Sequence, residues 1–571
     1  MKFNSINTKT TGKGFYLLLL LLVILSGVSC KKQLDVKNPN DPTFGVNVSN
    51  EDGLAAYVKG TTYWNGFNYG NGWLGDSYFS LPWGYHELMG DVIGGGQGSN
   101  NQTTTMGVPD SFQADPADAT TVFTNPTPQA AAIIRSFNNS ASTGQGNNAL
   151  IYEWNSMYSL INSCNITLDI LPTIAMSADR ANAVKAWCYW WKGFAYGQIG
   201  TLYYAGLIYE KAGTAGAKNV FVKQDAIIAE SNKNLTDAIA VLRSVSNAGE
   251  FTAMLGKIIP SQNQVGLGAA PSPADLIATC NTMLARNILF NKLSPFVNGN
   301  PAATISKASI PVISGADWQS ILTYCASGLK ANNKVFTGRT SEANSFFSPN
   351  GGSVAGMCAF SNQNTTYKVS ERLVQSYKAG DKRRANFTET EGTFYGDANT
   401  NSTRWTLVDF DDAGLSGFKT LGTRSVGKLE IYIGPTYEEN ALMLAEANIR
   451  TGNIEAGLAI IDQVRAYQGA GVAAVAGTGL NLVQALNELT QERYAALAFR
   501  GLSFFDARRW GWTYSTANGG GRYGATLIFN KIIYNNAKIN YNFMDYWDVP
   551  GDEIEKNPPA AGSAAVVNPN F

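Results

Sequence analysis

Histidine is nearly absent from this 571-residue chain: His86 is the only one. A single imidazole excludes a multi-histidine metal site. It also leaves any Ser-His-Asp or Cys-His arrangement resting on His86, which reads better as a structural hydrogen-bonding group. Charge is scarce too. Charged residues make up 15% of the chain, against 11% aromatics and 58 glycines. Lys+Arg and Asp+Glu balance at 43 each, and Lys2, Lys9 and Lys13 lie in the N-terminal leader. The chain beyond the leader is therefore slightly acidic and has no basic patch, which excludes binding driven by nucleic-acid phosphates. The six cysteines (Cys30, Cys164, Cys188, Cys280, Cys325 and Cys358) form no C-x-x-C pair, so zinc-ribbon and thioredoxin-type readings fail. Four of them, Cys164, Cys188, Cys280 and Cys325, sit among apolar residues of helix-like segments and read as buried free thiols. Gly94-Gly95-Gly96-Gln97-Gly98 lacks the spacing of a dinucleotide fingerprint. Asp409, Asp411 and Asp412 lack the regular spacing and distal Glu of a calcium loop and read as a solvated turn. No cofactor and no metal are expected.

What is present begins with a leader over residues 1–29. Its lysines precede an apolar run of ten residues, Tyr16 to Leu25, the length of a signal-peptide core and short for a bilayer span. Gly27, Val28 and Ser29 then precede Cys30 in a pattern that resembles a bacterial lipobox, with Gly27 where an aliphatic residue is usual. Cys30 is the expected lipidation site, and residues 30–50 read as a lipidated tether. A helix is expected over about residues 51–66, with Leu54, Ala55, Val58 and Thr62 facing inward. The next stretch has the most unusual composition in the chain. Trp64, Phe67, Tyr69, Trp73, Tyr78, Phe79, Trp83 and Tyr85 alternate with Gly and Asn. Such a mixture suits a sugar ring, whose apolar faces stack on aromatics while Asn and Asp meet its hydroxyls. Trp73, Asp76, Tyr78, Trp83 and Tyr85 are the candidate ligand-binding residues. Trp73 and Trp83, flanked by Gly or Pro, are expected to be exposed. Trp64 and Phe67 are expected to pack on the core. Phe346, Phe347 and Trp405 are weaker candidates and read as core. Residues 94 to about 128 read as a long loop.

Helices are expected from Tyr152 to Leu171, Asp179 to about Leu202, Ala226 to Val245, Pro273 to Leu293 and Asp317 to Lys330, the last with Asp317 as N-cap. Short strands are expected within 385–434, at Trp405-Thr406-Leu407-Val408 and Leu429-Glu430-Ile431-Tyr432. At Pro435, Thr436 and Glu439 have capping-box spacing. Gly452-Asn453 separates two helices, and Ile454, Leu458, Ile461 and Val464 share one face of the second. The pair has the length of a tetratricopeptide hairpin. A longer helix is expected from about Leu482 into Phe504-Phe505-Asp506-Ala507-Arg508-Arg509-Trp510.

These residues carry a family resemblance. Ala445-Glu446-Ala447, Gly452-Asn453, Asp462-Gln463-Val464-Arg465, Glu492-Arg493 and Phe505-Asp506-Ala507-Arg508-Arg509-Trp510 resemble the C-terminal signature of the SusD/RagB family of surface nutrient-binding lipoproteins. The chain departs from that family at Ala496, Arg500 and Ser503, where the helix is expected to survive with its buried polar network rewired. The resemblance implies a mainly α fold of tetratricopeptide-like hairpins with a loop-rich face and a few short strands. It implies one SusD-like domain over 51–571: an aromatic, loop-rich part about 51–150, helical repeats about 151–335 and 435–511, an irregular part about 336–434 and a closing segment 512–571. It further implies non-catalytic capture of a nutrient at the outer membrane and delivery to a SusC/RagA-like TonB-dependent transporter. The ligand is expected to be an oligosaccharide, with a peptide as the alternative. A surface glycoside hydrolase is a third reading, and it would need two carboxylates about 5–9.5 Å apart in an aromatic cleft. Only Asp76 and Glu87 lie suitably among the aromatics.

Overall fold

The structure, a computed structural model of the chain, describes residues 48–63, 83–95, 106–124, 135, 138, 151–212, 219–259, 264, 269–296, 298–300, 302–335, 337–339, 367–392, 394, 403–407 and 430–571. In chain order the helices are α1 (Glu51–Tyr63), α2 (Gly84–Met89), α3 (Ile151–Ile170), α4 (Ala178–Leu202), α5 (Gln224–Arg243), α6 (Ala248–Ile258) and α7 (Pro273–Phe290). They continue with α8 (Gly315–Ala326), α9 (Glu371–Ser376), α10 (Tyr437–Arg450), α11 (Ile454–Tyr467), α12 (Leu482–Ala496), α13 (Ser503–Arg509) and α14 (Gly551–Lys556). The long helices pack in series: α3 on α4, α4 on α5, α5 on α7, α7 on α8, α8 on α10, and α10 on both α11 and α12. This is the mainly α, hairpin-by-hairpin architecture that the sequence implies.

Local signals explain where several helices begin. Ser272 and Asp275 form a reciprocal capping box at α7, with Pro273 in the first turn, where its missing N–H costs nothing. Asn481 and Gln484 do the same at α12. At α8 the box is Ser314 with Asp317, so Asp317 is the third residue of the helix and not the N-cap expected from sequence. At α10, Thr436 accepts the Glu439 N–H at 3.5 Å, but the box is only half formed. The Glu439 carboxylate turns instead to Arg286, which grips both its oxygens at 2.5 Å. Gly452 takes the left-handed φ of 93° that ends α10, whereas Asn453 makes no side-chain cap for α11.

The core is centred on α4, which is buried around most of its circumference. Trp187, Trp190 and Trp191 are all fully buried there. Trp190 stacks on Phe194 with centroids 5.7 Å apart and donates its indole N–H to Thr279 Oγ1 of α7 at 3.0 Å. Cys164, Cys188, Cys280 and Cys325 are buried free thiols, as expected. Burial pushes the Cys188, Cys280 and Cys325 thiols well up.

Strands are few. Trp405–Leu407 pairs with Phe387–Glu389, and Glu430–Tyr432 pairs with Thr337–Arg339, so both strands expected in 385–434 form. Trp405 is buried, between the guanidinium groups of Arg384 and Arg404. Helix α6 and a four-stranded antiparallel sheet are among the features that were not expected. The sheet joins β1 (Ser111–Gln113), β2 (Val122–Thr124), β3 (Arg522–Phe529) and β4 (Ile532–Asn540) in the order β3-β4-β1-β2. β1 and β2 lie inside the stretch read as a continuous loop. The β3–β4 hairpin turns through Asn530 and Lys531, both at positive φ, the geometry of a two-residue hairpin turn. Phe112, Phe123 and Phe529 close one face of the sheet, with centroids 5.0 to 6.0 Å apart.

The end of the C-terminal signature binds these parts together. The Arg508 guanidinium is fully buried. It donates to the carbonyls of Thr201 at 2.7 Å, Phe290 at 2.7 Å and Asp545 at 2.6 Å. Thr201 lies in the last turn of α4 and Phe290 is the last residue of α7. One cation thus serves two helix C-termini, where carbonyls lack partners and the helix dipole favours positive charge. Tyr546 lies under the same guanidinium at 4.6 Å. Replacing Arg508 by Met strands three buried acceptors and is expected to cost roughly 3–5 kcal/mol. Arg508→Lys should cost less. Urea unfolding checks both, and a midpoint unmoved in Arg508→Met would refute this role.

Candidate functional site

The aromatic stretch of the sequence re-enters the described structure at Trp83, and there it meets the C-terminal signature. Trp73, Asp76 and Tyr78 lie outside the described residues, as do Cys30, Phe346, Phe347 and the Asp409–Asp412 cluster. Trp83 is not the exposed platform expected. It is 4% exposed, and Tyr85 is fully buried. The reason is local. The Trp83 indole lies flat on Gly501, where an added Cβ would stand 2.9–3.0 Å from its ring carbons. Gly501 is also at a φ of +70°, so the position requires glycine twice over.

Glu87 makes this junction. Its Oε2 accepts the Phe499 N–H at 2.9 Å, and its Oε1 accepts the N–H groups of Leu502 at 3.0 Å and Ser503 at 3.4 Å. Ser503 Oγ donates back to the His86 carbonyl at 3.1 Å. These bonds explain why the helix expected from Leu482 to Trp510 is two helices. The chain leaves α12 after Ala496, passes through left-handed backbone at Phe499 (φ 63°) and Gly501, and starts again as α13. No side chain of its own caps α13; a carboxylate from over 400 residues earlier does so. Arg500, in the break, reaches Glu438 Oε1 at 3.0 Å and the Thr436 hydroxyl. The helix expected to survive across 496–503 is therefore broken, and Arg500 and Ser503 bond to α10 and α2 instead.

A narrow crevice, partly open to solvent, adjoins the junction. Trp83, Gln198, Arg286, Thr436, Glu439 and Arg500 line it. Its charges are already paired, Arg286 with Glu439 and Arg500 with Glu438. It is narrow enough to admit about one water molecule, so it is a polar seam and not by itself a sugar-sized pocket. Among the described residues, no group of three or more His, Cys, Asp or Glu side chains could hold a metal ion. The interior carboxylates are occupied structurally. Glu492 joins Arg383 and Arg465, Asp381 joins Arg383, and Glu446 joins Arg509.

The SusD family model matches residues 437–561, the stretch from α10 to beyond α14. Among solved structures, a SusD-like protein from Bacteroides fragilis is 14% identical with a TM-score of 0.50, covering 91% of this chain and 97% of its own. A SusD superfamily protein from Parabacteroides distasonis is 16% identical with a TM-score of 0.50, covering 89% and 97%. The surface glycan-binding protein A of Bacteroides uniformis is 14% identical with a TM-score of 0.51, covering 90% and 98%. No curated protein matches the chain. The chain thus shares the fold of SusD-like proteins, and its C-terminal stretch matches the SusD family model.

Burial pushes the Glu87 carboxyl up to about 7, against the pull of the Phe499 and Ser503 N–H groups and of His86. Its folded value lies above the ordinary 4.5, so the folded chain keeps a proton that the unfolded chain releases. The associated stability is full below the ordinary value and is lost as pH rises toward 7. Glu87→Gln should remove that slope in unfolding measured between pH 5 and 7. Above pH 7 it should also cost about 1–3 kcal/mol, because there one accepting oxygen of the ionised carboxylate is replaced by an amide donor. A wild-type slope and midpoint in the variant would contradict this assignment.

Proposed function

We propose that this protein captures an oligosaccharide at the cell surface without transforming it and delivers it to a SusC/RagA-like TonB-dependent outer-membrane transporter. The SusD-like fold over nine-tenths of the chain carries this reading, since a surface glycan-binding protein shares it over 90% of this chain. The aromatic composition between Tyr63 and Tyr85 supplies the chemistry of the contact. That segment leaves the end of α1 and re-enters at Trp83, so elements packed into the fold hold both its ends. Trp73, Asp76 and Tyr78 are the ligand-facing residues in this account, and Trp83 and Tyr85 are the buried footing. Capture without catalysis fits the structural use of the interior carboxylates. A lipid on Cys30 would hold the chain at the membrane. Among the described residues no helix is long and apolar enough to cross one.

The test is calorimetry on the chain from residue 31 onward, against oligosaccharides and short peptides, alongside a Trp73→Ala, Tyr78→Ala double variant. Glycan binding weakened at least roughly tenfold in the variant, at unchanged melting temperature and with no product on long incubation, is the expected result. Binding of peptides alone would move the ligand class. Glycan binding unchanged in the variant would remove these residues from the site.

A further inference from the structure

The chain's only imidazole stands in an environment that a neutral ring does not satisfy. His86 is fully buried in α2, and its Nδ1 lies 3.2 Å from the Gly501 carbonyl. A carbonyl only accepts, so Nδ1 carries a hydrogen. His86 Nε2 lies 3.3 Å from Glu153 Oε2 of α3, and the side chains are 0% and 1% exposed. Neither atom has any other hydrogen-bond partner. The second Glu153 oxygen accepts the Gln198 amide of α4 at 3.0 Å. Among the described residues the rings against it are Phe505, edge-on at 4.9 Å, Phe504 at 6.3 Å and Trp547 at 6.2 Å. The other acid beside the ring is Glu87 on its own helix, engaged with the backbone N–H groups of the 497–503 turn.

With a neutral ring, the Nε2 lone pair would face a carboxylate oxygen at 3.3 Å in the interior, leaving two buried acceptors unmet. One added proton turns the same contact into an imidazolium–carboxylate pair. We infer that His86 and Glu153 hold one proton between them in the folded protein, and that this pair is a pH-sensitive latch. It ties α3 to α2, and through the Gly501 carbonyl to the turn bordering the crevice. Loss of the proton places like against like at the point where the aromatic segment re-enters the fold.

Because His86 is unique, the full chain labelled with ¹⁵N-histidine gives one imidazole to observe by NMR. At pH 7.5 both ring nitrogens are expected to be protonated. In Glu153→Gln, whose amide can donate to Nε2, the ring should become neutral with its hydrogen on Nδ1. A wild-type ring that is neutral at pH 7.5, with Nε2 unprotonated, would overturn the inference. So would the same protonation in both proteins. Should the Gln variant fail to fold, titration of the wild type decides alone: a ring that titrates near 6.5 without change in the fold contradicts the latch.

Discussion

Arg508 is the constraint on which the rest of this fold depends. A buried guanidinium is costly unless its donors are met. Among the described residues three carbonyls accept from the two Nη groups of Arg508, drawn from the end of α4, the end of α7 and the segment after the β3–β4 hairpin, while its Nε has no partner. The planar fork of Arg fits this task as the point charge of Lys would not. Its neighbour Arg509 extends the junction, donating to Asp506 at 2.7 Å, Glu446 at 2.8 Å and Ser294 at 3.0 Å. Arg493 joins Asp506 from α12. The aromatic-basic run thus joins the early repeats to the late ones, and a chain with few charges spends many of them in its interior.

The same run fixes where the N-terminal part attaches. Ser503, the first residue of α13, and the turn before it receive Glu87 and Trp83. Asp91, just beyond α2, is gripped by Arg372 at 3.0 Å and Arg522 at 2.6 Å, which ties it to α9 and to β3. The cations beside it hold the Asp91 carboxyl below the usual range despite its burial. The segment proposed to face the ligand is therefore rooted in paired charge and backbone hydrogen bonds. Binding loops work best on such rigid supports.

Much of this was legible in the sequence because its signals are local. Helix starts at Ser272 and Asn481 follow from side chains three residues apart, and the apolar face of α11 follows from periodicity. The misreadings share one cause. Near Leu497–Leu502 the local cue to a helix break is Gly501 alone, because the capping carboxylate comes from Glu87. Nothing near Trp83 announces burial, because its cover is Gly501. The capping box at Thr436 has the right spacing, yet Arg286 claims its acid. The β3–β4 hairpin had a local cue in the runs Leu527-Ile528-Phe529 and Ile532-Ile533-Tyr534 around Asn530-Lys531, but its partners β1 and β2 are over 400 residues away.

Hydrogen exchange of the native chain tests most directly whether the re-entry of the aromatic segment and the C-terminal signature are one unit. If Glu87, Trp83 and Arg508 join them as described, amides of α2 and of residues 497–503 should exchange together with the ends of α4 and α7, in one cooperative opening. Rapid exchange throughout α2 while α4 and α13 stay protected would contradict the account, by showing that the footing of the candidate site opens independently of the core.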